Sequence, residues 1–211
     1  MIQSDRARWA AVALLTVMGA ACSDAPPPMT CTPWATPDQL ATRPSPYDSV
    51  LLSGDSGLQA KLCYSQPSAR GRVVFGGLVP YDTLWRTGAN EATVLHLAQP
   101  TEIAGLEVEA GDYSLYTVPS PGRWTLVVNA AAGHWGLTRD EVGADGVQYY
   151  SAYTDEVRDQ EIGRVPITTE EIPFVERLTA SFEREGPSQS RLLFDWETTR
   201  IVIPLRIPPG A

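Results

Sequence analysis

Cations are scarce in this chain. Lys61 is its only lysine, and the total of 16 Lys and Arg stands against 25 Asp and Glu, for a net charge of −9. A nucleic-acid binder needs an excess of basic groups to displace counterions from phosphate, so that class is excluded. Histidine is nearly absent too, with only His96 and His134, and cysteine is limited to Cys22, Cys31 and Cys63. No zinc spacing, EF-hand loop, P-loop or dinucleotide fingerprint can be assembled from these residues, so no metal and no cofactor is expected. Long apolar runs are missing. Trp9–Met18 is the longest stretch of that character, and ten residues fall short of the roughly 20 that span a bilayer. No segment keeps a helical apolar period through three turns.

The N-terminus carries a different signal. Arg6 and Arg8 precede the apolar run, and Gly19, Ala20, Ala21 and Cys22 follow it. A positive start, a short apolar centre and small residues at a cut site make a secretory signal peptide over residues 1–21. Gly19-Ala20-Ala21-Cys22 resembles a bacterial lipobox without its usual leucine, which makes Cys22 the expected lipidation site. The protein is then expected to be exported as a lipoprotein, with the membrane as its partner through a lipid anchor in the cell envelope, on the periplasmic or outer-surface face. The alternative is plain secretion with cleavage near Ala21.

Residues 22–46 read as the lipidated cysteine and a tether. Seven prolines lie between Ser23 and Pro46, and proline fixes φ and removes a hydrogen-bond donor, so this stretch is expected to form neither helix nor central strand and to act as a semi-rigid spacer of polyproline character. Cys31 and Cys63 remain as an even pair. In an oxidising compartment they can form a disulfide, although two free thiols fit the sequence equally well.

Past Pro46 the hydrophobic period is two. Strands are predicted at 47–53, 58–65, 92–98, 102–108, 113–119, 123–129, 161–168, 174–183, 191–197 and 201–207. Trp124, Leu126 and Val128 share one face, as do Ile201, Ile203, Leu205 and Ile207. Glu197-Thr-Thr-Arg200 and Arg184-Glu-Gly-Pro187 read as hairpin turns. About nine short strands in one domain over 47–207 predict an all-β, antiparallel β-sandwich, with a closed β-barrel as the alternative.

Residues 65–91, SQPSARGRVVFGGLVPYDTLWRTGANE, do not fit a strand pattern. A connection this long is either disordered or functional, and its apolar content argues for order. It concentrates Ser68, Arg70, Arg72, Tyr81, Trp85, Arg86, Asn90 and Glu91, which suits a ligand pocket with aromatic walls. The three arginines can clamp an anion; alternatively Arg86 pairs internally with Glu91 or Asp82. Asn90 suits a left-handed turn position. His134 and Trp135 are further candidates in a second loop, His134 as an acid–base group. His96 reads as a strand residue. A serine triad lacks its G-x-S-x-G elbow, and nothing brings Glu91, Asp112, Asp195 or Glu197 to the separation that glycoside chemistry requires.

The runs PSPYDSV, QPSARGRVVFGGLVPYDTLWRTGANEATVL, AGDYSLYTVP, WTLVVN, HWG and LFDWETTRIVIPL resemble the DUF2911 family over about Arg43–Leu205. That resemblance implies a mostly β, exported bacterial domain with a signature in the 65–91 loop, and it implies no reaction. The expected function is a ligand-binding module that uses this loop for an unknown small molecule, glycan or peptide. The alternatives are an envelope scaffold, or a hydrolytic enzyme using Glu91 or His134.

Overall fold

The computed structural model describes residues 29–53, 57–133, 139–142, 148–150, 153 and 155–208. Cys22, His134 and Trp135 lie outside these residues. The first described element is a short helix, α1 (Pro37–Thr42), within the proline-rich stretch. This corrects the expectation that the prolines exclude helix: Pro37 opens the first turn, where an amide hydrogen has no helical partner to lose. Thr36 and Gln39 cap each other's backbone N–H in a capping box.

Five strands follow: β1 (Tyr47–Leu52), β2 (Ala60–Ser65), β3 (Thr93–Leu97), β4 (Thr101–Ile103) and β5 (Leu106–Val108). Then come β6 (Gly111–Val118), β7 (Trp124–Asn129), β8 (Arg139–Val142), β9 (Gln148–Tyr150) and a single helical turn, α2 (Asp155–Arg158). Two long strands end the domain, β10 (Glu161–Arg184) and β11 (Gln189–Arg206). Nine strands hydrogen-bond in the order β1-β2-β3-β6-β7-β10-β11-β4-β5, all antiparallel. Strands β8 and β9 pair separately.

The order does not return to its start, so the structure is not a closed barrel. It is a sandwich, and β10 makes it one. Residues Glu161–Ile167 of β10 pair with β7, whereas Thr168–Arg184 pair with β11. One strand therefore belongs to both layers. The core lies between them. Leu62, Leu95, Leu115, Leu126 and Val128 from one layer meet Leu178, Phe194, Trp196, Ile201, Ile203 and Leu205 from the other. The Tyr64 hydroxyl crosses the gap to accept the Ala180 N–H at 2.9 Å.

Three strand expectations are also corrected. Residues 102–108 are two strands, because Ala104 (φ 50°) and Gly105 (φ 98°) turn the chain sharply between them. The segments 161–168 and 174–183 are one strand. So are 191–197 and 201–207. The polar run Glu197-Thr-Thr-Arg200 is a bulge: Glu197 takes φ 54°, opposite a register shift in β10. The Arg200 guanidinium clamps both oxygens of Asp195 at 2.7 Å across it.

A second apolar cluster lies on the outer face of the β6–β7 layer, where Tyr116, Val118 and Val127 pack with Leu84, Tyr153 and Val157. Asn129 holds it in place. Its Nδ2 donates to the Tyr153 hydroxyl at 3.1 Å and to the Val157 carbonyl at 2.7 Å, and its Oδ1 accepts the Ala131 N–H at 2.7 Å.

Candidate functional site

The 65–91 segment is ordered because both layers leave it backbone to bind. In β10 the register with β11 shifts between Val175 and Thr179. The polar groups freed there are taken by the loop: Ala69 N–H donates to the Glu176 carbonyl at 2.8 Å, and Leu178 N–H donates to the Pro67 carbonyl at 2.9 Å. At its other end the loop extends β6 beyond the reach of β3. Trp85 and Thr117 exchange two backbone bonds of 2.7 and 2.8 Å. Buried backbone polar groups are thereby satisfied without regular sheet.

Strain is concentrated in this segment. Arg70 (φ 52°), Asp82 (φ 55°), Thr87 (φ 51°) and Asn90 (φ 60°) all adopt left-handed backbone, a geometry that persists for non-glycine residues only when surroundings impose it. Asn90 occupies the position its side-chain type suits. Gly88 is obligatory for another reason, since a Cβ there would stand 2.9 Å from Thr93 Oγ1 and 3.2 Å from the Ser65 carbonyl oxygen.

The aromatic residues form one cluster. Phe75 packs edge-on against Trp85, Trp124 and Trp196 at centroid distances of 5.8, 4.7 and 5.9 Å, and Trp85 stacks on Trp196 at 5.8 Å. Trp85 Nε1 donates to the Gly88 carbonyl at 2.9 Å. Above them opens a cleft of about 190 Å³, lined by Pro67, Leu78, Val79, Leu84, Trp85, Arg86, Gly88, Ala89 and Trp196. Leu78 and Tyr81 are exposed, as is Val73.

The three loop arginines do not converge. Arg86 lines the cleft. The Arg72 guanidinium folds back onto the Ala69 and Ser68 carbonyls at 2.9 Å each, and Arg70 is exposed with its N–H on Glu176 Oε1. Ser68 pairs through its backbone with Arg177. Trp85 is mostly buried and forms a floor rather than an open platform.

Glu91 is the anchor point of the N-terminal stretch. Its carboxylate is 5% exposed and accepts from Arg43 Nη1 at 2.9 and 2.8 Å, from Trp34 N–H at 2.8 Å, and from Ser65 Oγ at 3.5 Å. Arg43 thus fills the role that the sequence offered to Arg86. Four contacts saturate this carboxylate, which counts against Glu91 as an acid–base group in a hydrolase. Burial and the Glu91 charge push the neighbouring Tyr47 hydroxyl up to about 12, against the opposing pull of Arg43.

A second cavity of about 170 Å³ lies beside Glu91, lined by Thr32, Tyr47, Cys63, Glu91, Ala92, Val94, His96, Asp112, Ala132 and Gly133. Cys31 and Cys63 are joined as a disulfide, with Cα atoms 5.7 Å apart. His96 stands directly opposite Asp112 across β3 and β6. Its Nδ1 lies 2.6 Å from Asp112 Oδ1, and its Nε2 lies 3.3 Å from Cys63 Sγ. The donor atoms of Cys31, Cys63 and His96 all fall within 4.8 Å of one another. With the sulfurs bonded together, neither is a thiolate, so in this form the trio has the wrong chemistry for a metal. Sequence reasoning left His96 as an ordinary strand residue and gave Arg43 and Trp196 no part in a site.

The family model described as "Protein of unknown function (DUF2911)" matches residues 45–205. The chain belongs to the DUF2911 family. No curated protein and no solved structure matches it. The family match and the sandwich agree with the resemblance seen in the signature runs, and the disulfide is consistent with export to an oxidising compartment. The partner expectation is corrected. The disulfide commits both described cysteines to each other, so neither is a free thiol able to carry a lipid, and the membrane is not carried forward as a partner; Cys22, the expected anchor, lies outside the described residues.

Proposed function

We propose that this exported DUF2911 domain is a binding module for a small ring-bearing ligand, held in the cleft between the 65–91 loop and β11. The observation that carries this reading is the lining of that cleft. Pro67, Leu78, Val79, Trp85 and Trp196 supply apolar and aromatic surface. An aromatic-floored apolar site favours a ligand with a flat apolar body. Its size narrows the class. About 190 Å³ is below the roughly 300–1,000 Å³ of pockets for drug-sized molecules. One aromatic ring or one peptide side chain fits; an extended glycan does not. The exposed Leu78 and Tyr81 give the approach an apolar character.

The test is a titration of indole-3-acetate and N-acetyl aromatic amino acids, followed by tryptophan fluorescence and calorimetry. Leu78→Arg is expected to weaken every probe at least tenfold with the melting temperature kept, since Leu78 is exposed. The reading fails if no probe perturbs the tryptophan emission, or if Leu78→Arg binds as the parent does.

A further inference from the structure

The cavity beside Glu91 holds an arrangement that ligand binding in the cleft does not use. A buried histidine has a carboxylate on one ring nitrogen and a disulfide sulfur on the other. Asp112, on β6, faces His96 Nδ1 at 2.6 Å, which orients the ring and leaves Nε2 pointing at Cys63 Sγ, 3.3 Å away. The two sulfurs differ in access. Cys63 is 1% exposed within β2, whereas Cys31 is half-buried in the N-terminal stretch, next to the exposed Thr32. A disulfide that served only as a staple would have no need of an oriented imidazole at its inner sulfur.

We propose that Cys31–Cys63 is a thiol–disulfide exchange centre, in which an external dithiol attacks Cys31 and His96 serves the departing Cys63 sulfur. The thiolate of the dithiol forms a bond to Cys31 Sγ as the Cys31–Cys63 bond breaks. The electron pair of that bond leaves on Cys63 Sγ. His96, protonated at Nε2 and steadied at Nδ1 by Asp112, passes its proton to that sulfur. The second thiol of the dithiol, deprotonated to solvent, then displaces the Cys31 sulfur from the mixed disulfide. Cys31 leaves as a thiolate, and the dithiol leaves as its own disulfide. The protein gains two electrons and the dithiol is oxidised. The partner class is therefore a protein or small molecule carrying paired thiols, and the reverse reaction oxidises such a pair. Exchange depends on which sulfur is attacked and on how readily the other leaves, and the geometry serves both requirements.

Reduction of the full chain by dithiothreitol at neutral pH, followed by acid quench, alkylation and mass measurement, tests the assignment. His96→Gln is expected to slow reduction at least tenfold and Asp112→Asn several-fold, while all three proteins react at one common rate in concentrated urea. Asp112 is 44% exposed, so Asp112→Asn keeps its fold and reads the relay even if His96→Gln does not fold. Equal rates for the parent and a folded Asp112→Asn overturn the proposal and leave the disulfide as a staple. So does a folded parent that is reduced no faster than the folded His96→Gln protein.

Discussion

Removal of the Arg43 guanidinium isolates what Glu91 does in the loop signature. In Arg43→Ala the Glu91 carboxylate stays where it is, 5% exposed, and keeps the Trp34 N–H at 2.8 Å together with a long contact to Ser65. It loses both contacts to Nη1. Breaking a buried ion pair by deleting one partner costs about 3–5 kcal/mol, because the remaining charge stays desolvated. Arg43 is itself 11% exposed, which places the expected loss near the lower end, about 3 kcal/mol. For a domain of this size that lowers the melting temperature by about 6–12 °C. Glu91→Gln in the same background is expected to recover part of the loss, since the amide needs no counter-charge. The double-mutant cycle then gives a coupling of about 2 kcal/mol. Urea unfolding of the four proteins measures it. A loss below about 0.5 kcal/mol for Arg43→Ala, the range of ordinary surface changes, or an additive cycle, refutes the view that Glu91 latches residues 34–43 to the sheet. The same four proteins separate this role from binding, because Glu91→Gln is expected to leave cleft affinity unchanged.

Asn129→Ala removes three hydrogen bonds in the outer cluster and strands at least one buried partner, for an expected loss of about 2–3 kcal/mol in urea unfolding; a loss under about 0.5 kcal/mol counts against Asn129 as the tie between β7 and α2. Alkaline pH is expected to unfold the domain. Burial holds the Tyr116 and Tyr153 hydroxyls above the ordinary phenol range and pushes Tyr47 up to about 12. A folded-state value raised above the unfolded value near 10 gives stability that is complete below that pH and is lost as pH climbs toward 12 and beyond. Tyrosinate absorbance is therefore expected to rise together with loss of the β signal in circular dichroism. Titration of every tyrosine near pH 10 with the fold intact contradicts this.

Strand existence was legible wherever one face is apolar. The alternation Ile201, Ile203, Leu205 marks β11 plainly, and the three residues are buried side by side. Strand ends were not. Glu197-Thr-Thr-Arg200 has the composition of a turn, but Asp195 and Arg200 close across it and β10 shifts its register to match. A bulge and a turn use the same residue types, and only the partner strand distinguishes them. In the loop, Trp85 and Asn90 were found from composition, because a long apolar connection must fold on itself. The partner of Glu91 was not, since 48 residues separate it from Arg43. The His96 environment was hidden for a related reason. It depends on the β2–β3 and β3–β6 registers, which no local pattern encodes, and a one-residue slip would turn the ring to the other face.

The β4–β5 hairpin lies at the far edge of the sheet, and β4 finds its neighbour only in Leu205 and Arg206 at the end of β11. During synthesis from the N-terminus this hairpin is made about a hundred residues before the strand that receives it. At about 5–20 residues per second, it waits several seconds or more with an open edge. The second layer cannot begin to close until β11 has emerged, so the domain stays incompletely folded until that strand is made. Any route that threads a chain through a membrane in extended form is favoured by such a delay, because the sandwich becomes compact only once β11 has arrived.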